Sequence, residues 1–241
     1  MKLVPTLVTA AIVMTSPALA ADLIIDEPSF ISPLSAYEWS GFYVGLNGGY
    51  AWGNGDQDIT VDALGFLVPP SAQVGISGGL LTGSLGANYQ MDEFVVGVEG
   101  ELGWANISGM TIQSGDDGYR TSVDWLGNLR GRLGYAVDSF MVYGTGGVAV
   151  AGIGIENGDV DGTAFDPVTG TATTSLTGFG YVVGAGVEVA VMDNVSVKAE
   201  YNYYDFGTMA FTAPTSTAVG TEEGTVTTNF HAVKVGVNYA F

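Results

Sequence analysis

The last fifteen residues, 227–241, constrain the fold more than any other stretch of this sequence. They read TTNFHAVKVGVNYAF. Because alternate side chains of a β-strand point to opposite faces, one face would carry the apolar and aromatic residues. The other face would carry small, polar and charged residues such as Lys234 and Asn238. The alternation continues to a terminal aromatic residue, Phe241, and this pattern indicates a strand whose apolar side faces lipid.

The composition excludes several classes of protein. Hydrophobic residues make up 47% of the 241 residues, charged residues 13%, and the 37 glycines follow no period of three. Collagen and disordered chains are therefore excluded. Cysteine is absent, which excludes disulfides and thiolate metal sites. The formal net charge of −19 argues against nucleic acid as a partner.

The N-terminus has the pattern of a secretory signal peptide. Lys2 precedes an apolar stretch that ends in Ala18-Leu19-Ala20, which predicts a signal peptide over residues 1–20, cleaved after Ala20. The alternative, a membrane anchor, needs roughly 20 apolar residues. Residues 21–38 show no regular alternation and contain two prolines, so we expect an extended periplasmic leader there. Residues 39–241 form the remaining domain.

Strand-like and turn-like stretches alternate from residue 39 to the end. The pattern predicts eight strands, at 40–53, 79–91, 94–107, 119–137, 140–155, 178–192, 195 to about 206, and 227–241. Their connections alternate between long and short, and the three short ones contain aspartate, which suits hairpin turns. This predicts an all-β fold: an eight-stranded antiparallel transmembrane β-barrel with short periplasmic turns and four long extracellular loops. All eight prolines, including Pro214, are predicted to lie outside the strands.

The predicted inward faces collect the charged residues, and no predicted outward position in the lipid band is charged. The inward set forms a predicted ion network of Glu99, Glu101, Asp124, Arg130, Arg132, Glu188, Lys198, Glu200 and Lys234. On the fourth strand, Val123 and Trp125 are predicted to face outward. We interpret the network as filling a narrow lumen, since an eight-stranded barrel has room for little more than its own side chains. Two other readings are a gated ion path along the network and acid–base catalysis by paired carboxylates.

Other candidate motifs lack the context that they need. His231, the single histidine, is expected outward in an interfacial aromatic girdle, and it has no cysteine with which to share a metal or haem. The G-x-G-x-x-A stretch at 144–149 is not followed by a helical pattern, as dinucleotide binding requires. The start of a calcium loop at 157–162 has Val168 in place of the bidentate glutamate. We therefore predict no catalytic residue, no cofactor, no metal site and no enzymatic activity.

Two end segments resemble a known family. These are WSGFYVGLNGGYAWG at 39–53 and VGVNYAF at 235–241. The chain resembles the OmpA-like barrels of alphaproteobacteria, also called RopB-type or "porin family" outer-membrane proteins. The resemblance covers residues 39–241, and between its two ends it lies in the pattern only. It implies an outer-membrane barrel with roles in envelope integrity and host contact. Some relatives bind haem, but no haem motif can be placed on this chain.

Two functions remain open from the sequence. The first is a structural and surface-interaction barrel in the outer membrane; the second is a small porin-like diffusion channel for ions or small solutes. The expected partners are outer-membrane lipid and lipopolysaccharide, host or surface ligands at the loops, and the barrel-assembly machinery during biogenesis. The terminal aromatics Tyr239 and Phe241 resemble the signal that this machinery reads.

Overall fold

The computed structural model describes residues 37–61, 71–112, 117–161, 164–165, 171–214 and 221–241. Eight long strands occupy most of these ranges: β1 Gly41–Val61, β2 Gly75–Met91, β3 Phe94–Ile112, β4 Asp117–Val137, β5 Phe140–Asp161, β6 Thr171–Met192, β7 Val195–Pro214 and β8 Thr221–Ala240. Two-residue strands at Ser71–Ala72 and Ala164–Phe165 pair with β1 and β5. The predicted signal peptide and residues 21–36 of the leader lie outside the described residues. No helix in the described ranges is long and apolar enough to cross a membrane.

The eight strands form a closed antiparallel ring. Each strand pairs with the next along the chain, and β8 pairs with β1. The closing pair runs from Tyr43↔Ala240 to Trp52↔His231 without a register shift. Between the short turns and the Tyr181↔Asp205 pair, each of the eight strands is paired on both sides, as lipid requires, because unpaired backbone groups cannot be satisfied there. Beyond that pair, β6 and β7 no longer pair with each other. The predicted fold class is confirmed, and so is the pairing of the last strand with the first.

The short turns are also as predicted. Two residues connect β2 to β3, β4 to β5 and β6 to β7. Asp92 and Asp138 begin the first two turns with φ of 54° and 52°. This left-handed region is open to aspartate but costly for bulkier residues, and tight hairpin turns use it because it matches the twist of the strands.

At the opposite end the strands are longer than predicted. β1 continues to Val61 instead of ending at residue 53, and β6 begins at Thr171 instead of residue 178. Much of the sequence predicted as long loops is therefore paired strand. The prediction for Pro214 is also wrong, because it is the last residue of β7 and pairs with Thr221. A strand end tolerates proline since few ladder hydrogen bonds are lost there.

The outward faces follow the predicted alternation with one exception, at a β-bulge in β4. Val123 pairs with Ile153 and Trp125 with Gly152, so Asp124 is an extra residue between neighbouring pairs. Val123 is fully buried and Asp124 is exposed, the reverse of the prediction for both. A bulge shifts the alternation by one residue. Below it Arg130 and Arg132 face inward as predicted.

A girdle of aromatic side chains on the outer surface divides the barrel into two parts, which we call the membrane half and the extracellular half. The girdle consists of Trp52, Trp104, Trp125, Tyr181 and Tyr203. The membrane half lies between this girdle and the short turns, and the extracellular half lies beyond it. An apolar core of two clusters begins at the height of this girdle and occupies much of the extracellular half, beside buried polar residues such as Gln57 and Thr121. Its larger members include Ile59, Ile76, Ile107, Val123, Ile153, Ile155, Phe206, Phe211, Val226 and Phe230.

The periplasmic mouth of the barrel is filled by the residues just before β1. Trp39 is buried against Val95 and Met141, and its backbone N–H donates to Gln90 Oε1 at 2.9 Å. The ring of Tyr37 meets Trp39 edge-on, with centroids 4.7 Å apart. Burial, followed by the carboxylates of Glu188 and Asp193, raises the pKa of Tyr37. This segment therefore packs into the mouth of the lumen.

Candidate functional site: the charged layer of the barrel interior

Strand register brings the inward charges to one level of the membrane half. Neighbouring strands place Glu99 opposite Arg130, Glu188 opposite Lys198, and Lys234 opposite Glu200. Each of these residues lies on the inward face because its neighbours in the strand are the lipid-facing apolar residues. Alternation and register alone therefore bring acids and cations together across strand boundaries.

Arg130 is the centre of this charged layer. Its Nη2 donates to Glu99 Oε1 at 2.5 Å and to Glu101 Oε2 at 3.0 Å. Its Nη1 donates to Asn202 Oδ1 at 2.8 Å and lies 2.7 Å from Glu200 Oε1. One guanidinium thus joins three carboxylates contributed by β3 and β7, which its fork of fixed donors makes possible.

Two lysines complete the same cluster. Lys234 Nζ lies 2.7 Å from each carboxylate oxygen of Glu101 and 3.3 Å from Glu200 Oε1. Lys198 Nζ donates to Glu99 Oε2 at 2.9 Å. Every ionic side chain in this cluster is at most 3% exposed. At such burial an unpaired charge would be strongly unfavourable, so each charge requires the partners that it has.

A second ion pair lies nearer the short turns. Arg132 pairs with Glu188, which also accepts hydrogen bonds from Ser196 Oγ and, at 2.7 Å, from Asn238 Nδ2. The guanidinium of Arg132 lies 3.7 Å from the ring centroid of Tyr143, a cation–π arrangement. This pair therefore carries its own set of hydrogen bonds.

Eight of the nine residues predicted for the network meet in this layer, and Asp124 does not. The bulge turns Asp124 to the outer surface of the extracellular half, so the prediction for this residue is wrong. The remaining set comprises four carboxylates and four cations, and its formal charge is therefore zero. A balanced set can be buried without stranding a charge.

Sequence reasoning missed two tyrosines that belong to the layer. The hydroxyl of Tyr43 donates to Glu99 Oε2 at 2.8 Å, and that of Tyr143 donates to Glu200 Oε2 at 3.0 Å. Tyr143 lies on β5, where glycines on both faces obscured the alternation. The signal that could have found it is that the bulky residues toward both ends of the strand, Met141, Tyr143, Ile153 and Ile155, all lie at odd positions.

Apolar side chains cover the charged layer on its extracellular side. The rings of Tyr204 and Phe230 stack with centroids 5.0 Å apart, and Phe206 lies 6.0 Å from Phe230. Leu126 and Val182 are fully buried beside them. An ion leaving the charged layer toward the extracellular side would therefore enter a packed apolar core.

His231 lies on the outer surface, as predicted. Its Nδ1 is 2.6 Å from the hydroxyl of Tyr201, and its ring packs near Trp52 and Tyr203 at centroid distances of 5.9 and 5.0 Å. This environment is an aromatic girdle of the kind found at membrane interfaces. Within the described ranges, no group of three or more histidines, aspartates and glutamates could hold a metal ion.

The fold and this interior define a class of protein: a closed transmembrane barrel of the bacterial outer membrane. An apolar outer band with aromatic residues at its borders, short turns at one end and longer connections at the other are typical of that class. Comparison with known proteins agrees. A family model described as the outer membrane protein beta-barrel domain matches residues 6–241. The chain belongs to this family.

Relatives from alphaproteobacteria confirm the resemblance seen in the sequence. The chain is 33% identical to a 31 kDa outer-membrane immunogenic protein of Brucella melitensis, over 98% of each chain. It is 34% identical to a 22 kDa outer membrane protein of Rhizobium leguminosarum, over 71% of this chain and 66% of the other. The crystal structure of OprG from Pseudomonas aeruginosa matches with a TM-score of 0.62 at 14% identity, over 85% of this chain and 98% of OprG. At that identity the likeness concerns the fold alone.

Proposed function

We propose that this protein is a non-enzymatic structural barrel of the outer membrane that holds a contact surface outside the cell. The single observation that carries the proposal is the filled interior. A neutral layer of ion pairs occupies the membrane half, and apolar clusters occupy much of the extracellular half beside buried polar residues such as Gln57 and Thr228. The interior residues of such a barrel stabilise the fold, and contacts with other molecules are made by its outer surface and its loops.

A porin-like diffusion channel fits the same interior poorly. The charges that would attract ions are already bonded to one another, and Arg130 is completely buried. A permeating ion would have to break these pairs and then cross the apolar layer around Phe230, and both steps carry large desolvation costs.

Conductance in planar bilayers tests this proposal. We expect the purified barrel to show no steady conductance at neutral pH, for the parent protein and for Glu101→Gln alike. A folded variant that lacks the Phe230 ring, Phe230→Ala, serves as a matched control for leakage through the apolar layer. Steady single-channel conductance in the parent would overturn the structural role, and its loss in Glu101→Gln would assign the ion path to the charged layer.

The route to the membrane belongs to the same proposal. Residues 1–20 direct export and are cleaved, and the barrel-assembly machinery recognises the terminal aromatics. Exposed aromatic side chains at the periplasmic rim support this recognition: Phe241 is 74% exposed, and its ring meets that of Tyr239 edge-on at 5.3 Å. Both rings remain accessible on the outer side of the closing strand.

Contact with the environment or a host is the remaining part of the proposal. The Brucella melitensis relative is named an outer-membrane immunogenic protein, a name that agrees with a contact surface outside the cell. In this chain the extracellular half offers polar outward side chains such as Asp58, Asn106 and Thr212, all exposed. Outer-membrane lipid and lipopolysaccharide contact the surface below it.

A further inference from the structure

The bulge in β4 creates a polar site on the outer surface that the structural role does not require. Asp124, the extra residue, is exposed, although Val123 before it and Leu126 two residues after it are buried. Its carboxylate makes no hydrogen bond within the part of the chain that the structure describes. Bulges are over-represented at the rims of barrels and next to active sites, where they can redirect one side chain. Asp124 is redirected into a groove.

Three strands form this groove, and Gly154 lies at its base. The neighbours of Gly154 across the sheet are Ser122 on β4 and Ser175 on β6. A Cβ atom at Gly154 would come within 2.6 Å of Ser122 Oγ and 3.8 Å of Asp124 Oδ2. The cavity above the glycine has a volume of about 360 Å³, and a larger side chain at this position would fill it.

The next row of the sheet closes the groove on the side away from the membrane. Arg120 lies opposite Glu156 in the register, and Glu156 lies opposite Thr173. Arg120 Nη1 donates to Glu156 Oε2 at 3.1 Å. This pair is partly exposed, at 42% and 32% for the two side chains. The groove thus presents a guanidinium, two carboxylates and several hydroxyls, with a formal charge of −1.

The position of the groove indicates where its ligand comes from. Asp124 directly precedes Trp125, whose register partner Trp104 is 77% exposed. These two tryptophan side chains belong to the aromatic girdle, which lies at the membrane surface. From Gly152 beside Trp125 to Glu156 at the top, β5 advances about 13 Å at roughly 3.3 Å per residue. The groove therefore occupies the level of lipid headgroups in the outer leaflet.

The chemistry of the groove suits sugar hydroxyls. Carboxylates accept hydrogen bonds from hydroxyl groups, the guanidinium donates to them, and serine and threonine can do both. The partly exposed Trp125 beside the groove can cover the apolar face of a sugar ring, since its side chain is amphipathic. A bare phosphate is disfavoured, because two carboxylates face a single cation.

We propose that this groove binds the headgroup sugars of a glycolipid in the outer leaflet. The inference rests on the proposed role of the extracellular half as a contact surface, and it names one partner of that surface. Asp124 accepts hydrogen bonds from a sugar, the sugar lies over Gly154, and the Arg120–Glu156 pair closes the far side. The acyl chains of the same lipid lie against the apolar outer face below Trp125.

The test uses the full barrel in nanodiscs and purified lipopolysaccharide that carries its core sugars, titrated to give an apparent Kd. The same lipid stripped of its core sugars is the comparison probe. We expect Asp124→Asn to weaken binding of the sugar-bearing lipid about tenfold, the effect of losing one hydrogen bond to a charged group. We expect Gly154→Leu to abolish it. Glu93→Gln, which removes an exposed acid in the short turn at the opposite end of the barrel, should change Kd less than twofold.

Three outcomes would overturn the inference: equal Kd values for the parent and Asp124→Asn, equal binding of the lipid without core sugars, or binding that is lost on chelation in parent and variant alike. The last would mean that a divalent cation bridges the lipid phosphates. Free core oligosaccharide that binds as tightly as the whole lipid would overturn the membrane source. The conductance experiment tests the proposed function, and the binding experiment tests this inference. The two can fail independently, because a conducting barrel could still bind this lipid and a sealed barrel could fail to bind it.

Discussion

The membrane half and the extracellular half of this barrel follow opposite rules along the same strands. On β1, Leu46 faces lipid and Asn47 faces the lumen, whereas farther along Asp58 faces water and Ile59 faces the interior. The backbone alternation is unchanged between the two sites. The surroundings of the outer face have changed from hydrocarbon to water, and the side chains have changed with them.

The interior of one barrel can therefore be polar at one level and apolar at another, according to what surrounds the outer face. In the membrane half the apolar side chains face lipid, and ion pairs around Arg130 stabilise the interior. In the extracellular half the polar side chains face water, and apolar packing around Phe230 stabilises the interior, as in a soluble protein. One barrel therefore contains two kinds of core, stacked along its axis.

Removing the central cation should have the largest effect on this arrangement. Arg130→Leu leaves Glu99, Glu101 and Glu200 buried with only the lysines to neutralise them. We expect a loss of about 3–5 kcal/mol in the free energy of unfolding, the usual result of breaking a buried ion pair from one side. Urea titration of the protein in lipid vesicles, followed by gel mobility of the folded form, measures it.

Arg120→Leu is the matched control, on the same strand but in the extracellular half. Its partly exposed pair with Glu156 should contribute less than about 1 kcal/mol. If Arg130→Leu kept the stability of the parent, the ion pairs of the membrane half would not form a core. If Arg120→Leu lost as much stability as Arg130→Leu, burial would not be what separates the two halves.

The lipid-facing surface gives the next largest effect. Val197→Arg places a charge on the outer face of β7 within the membrane half, where a lipid-facing arginine costs about 2–4 kcal/mol. Thr212→Arg places the same side chain on the outer face of the same strand in the extracellular half, where water can solvate it. We expect impaired insertion for the first variant and normal insertion for the second, measured as the folded fraction in vesicles. Normal insertion of both would mean that residue 197 does not face lipid.

The membrane half can be predicted from sequence because lipid imposes a strict rule on every second residue. The alternation of apolar residues around Leu102, Leu129 and Val235 is sufficient to assign the strands, their two faces and eight members of the charged layer. The short turns are equally clear, because aspartate and a strand on each side are a local pattern.

The extracellular half cannot be predicted in the same way. Its outward residues are threonine, serine, asparagine and aspartate, which are also typical of loops, so the pattern assigns 54–61 and 171–177 to loops. The bulge at Asp124 is a one-residue shift that leaves no mark in the composition. The groove over Gly154 depends on the register of three strands, and a single sequence does not contain that register.

The smallest effect concerns the apolar core of the extracellular half. Ile153→Val removes one methylene from a fully buried side chain on β5 and should lower the free energy of unfolding by about 0.5–1.5 kcal/mol, because the cavity is not refilled. The control is Val148→Ala on the same strand, in a position that faces lipid. There acyl chains can occupy the vacated space, so the loss should be smaller although more atoms are removed. Urea titrations of both variants in vesicles give the order. A larger loss for Val148→Ala would mean that the packing at the lipid-facing surface is as exacting as that of the core, and the distinction between the two halves would then concern charge alone.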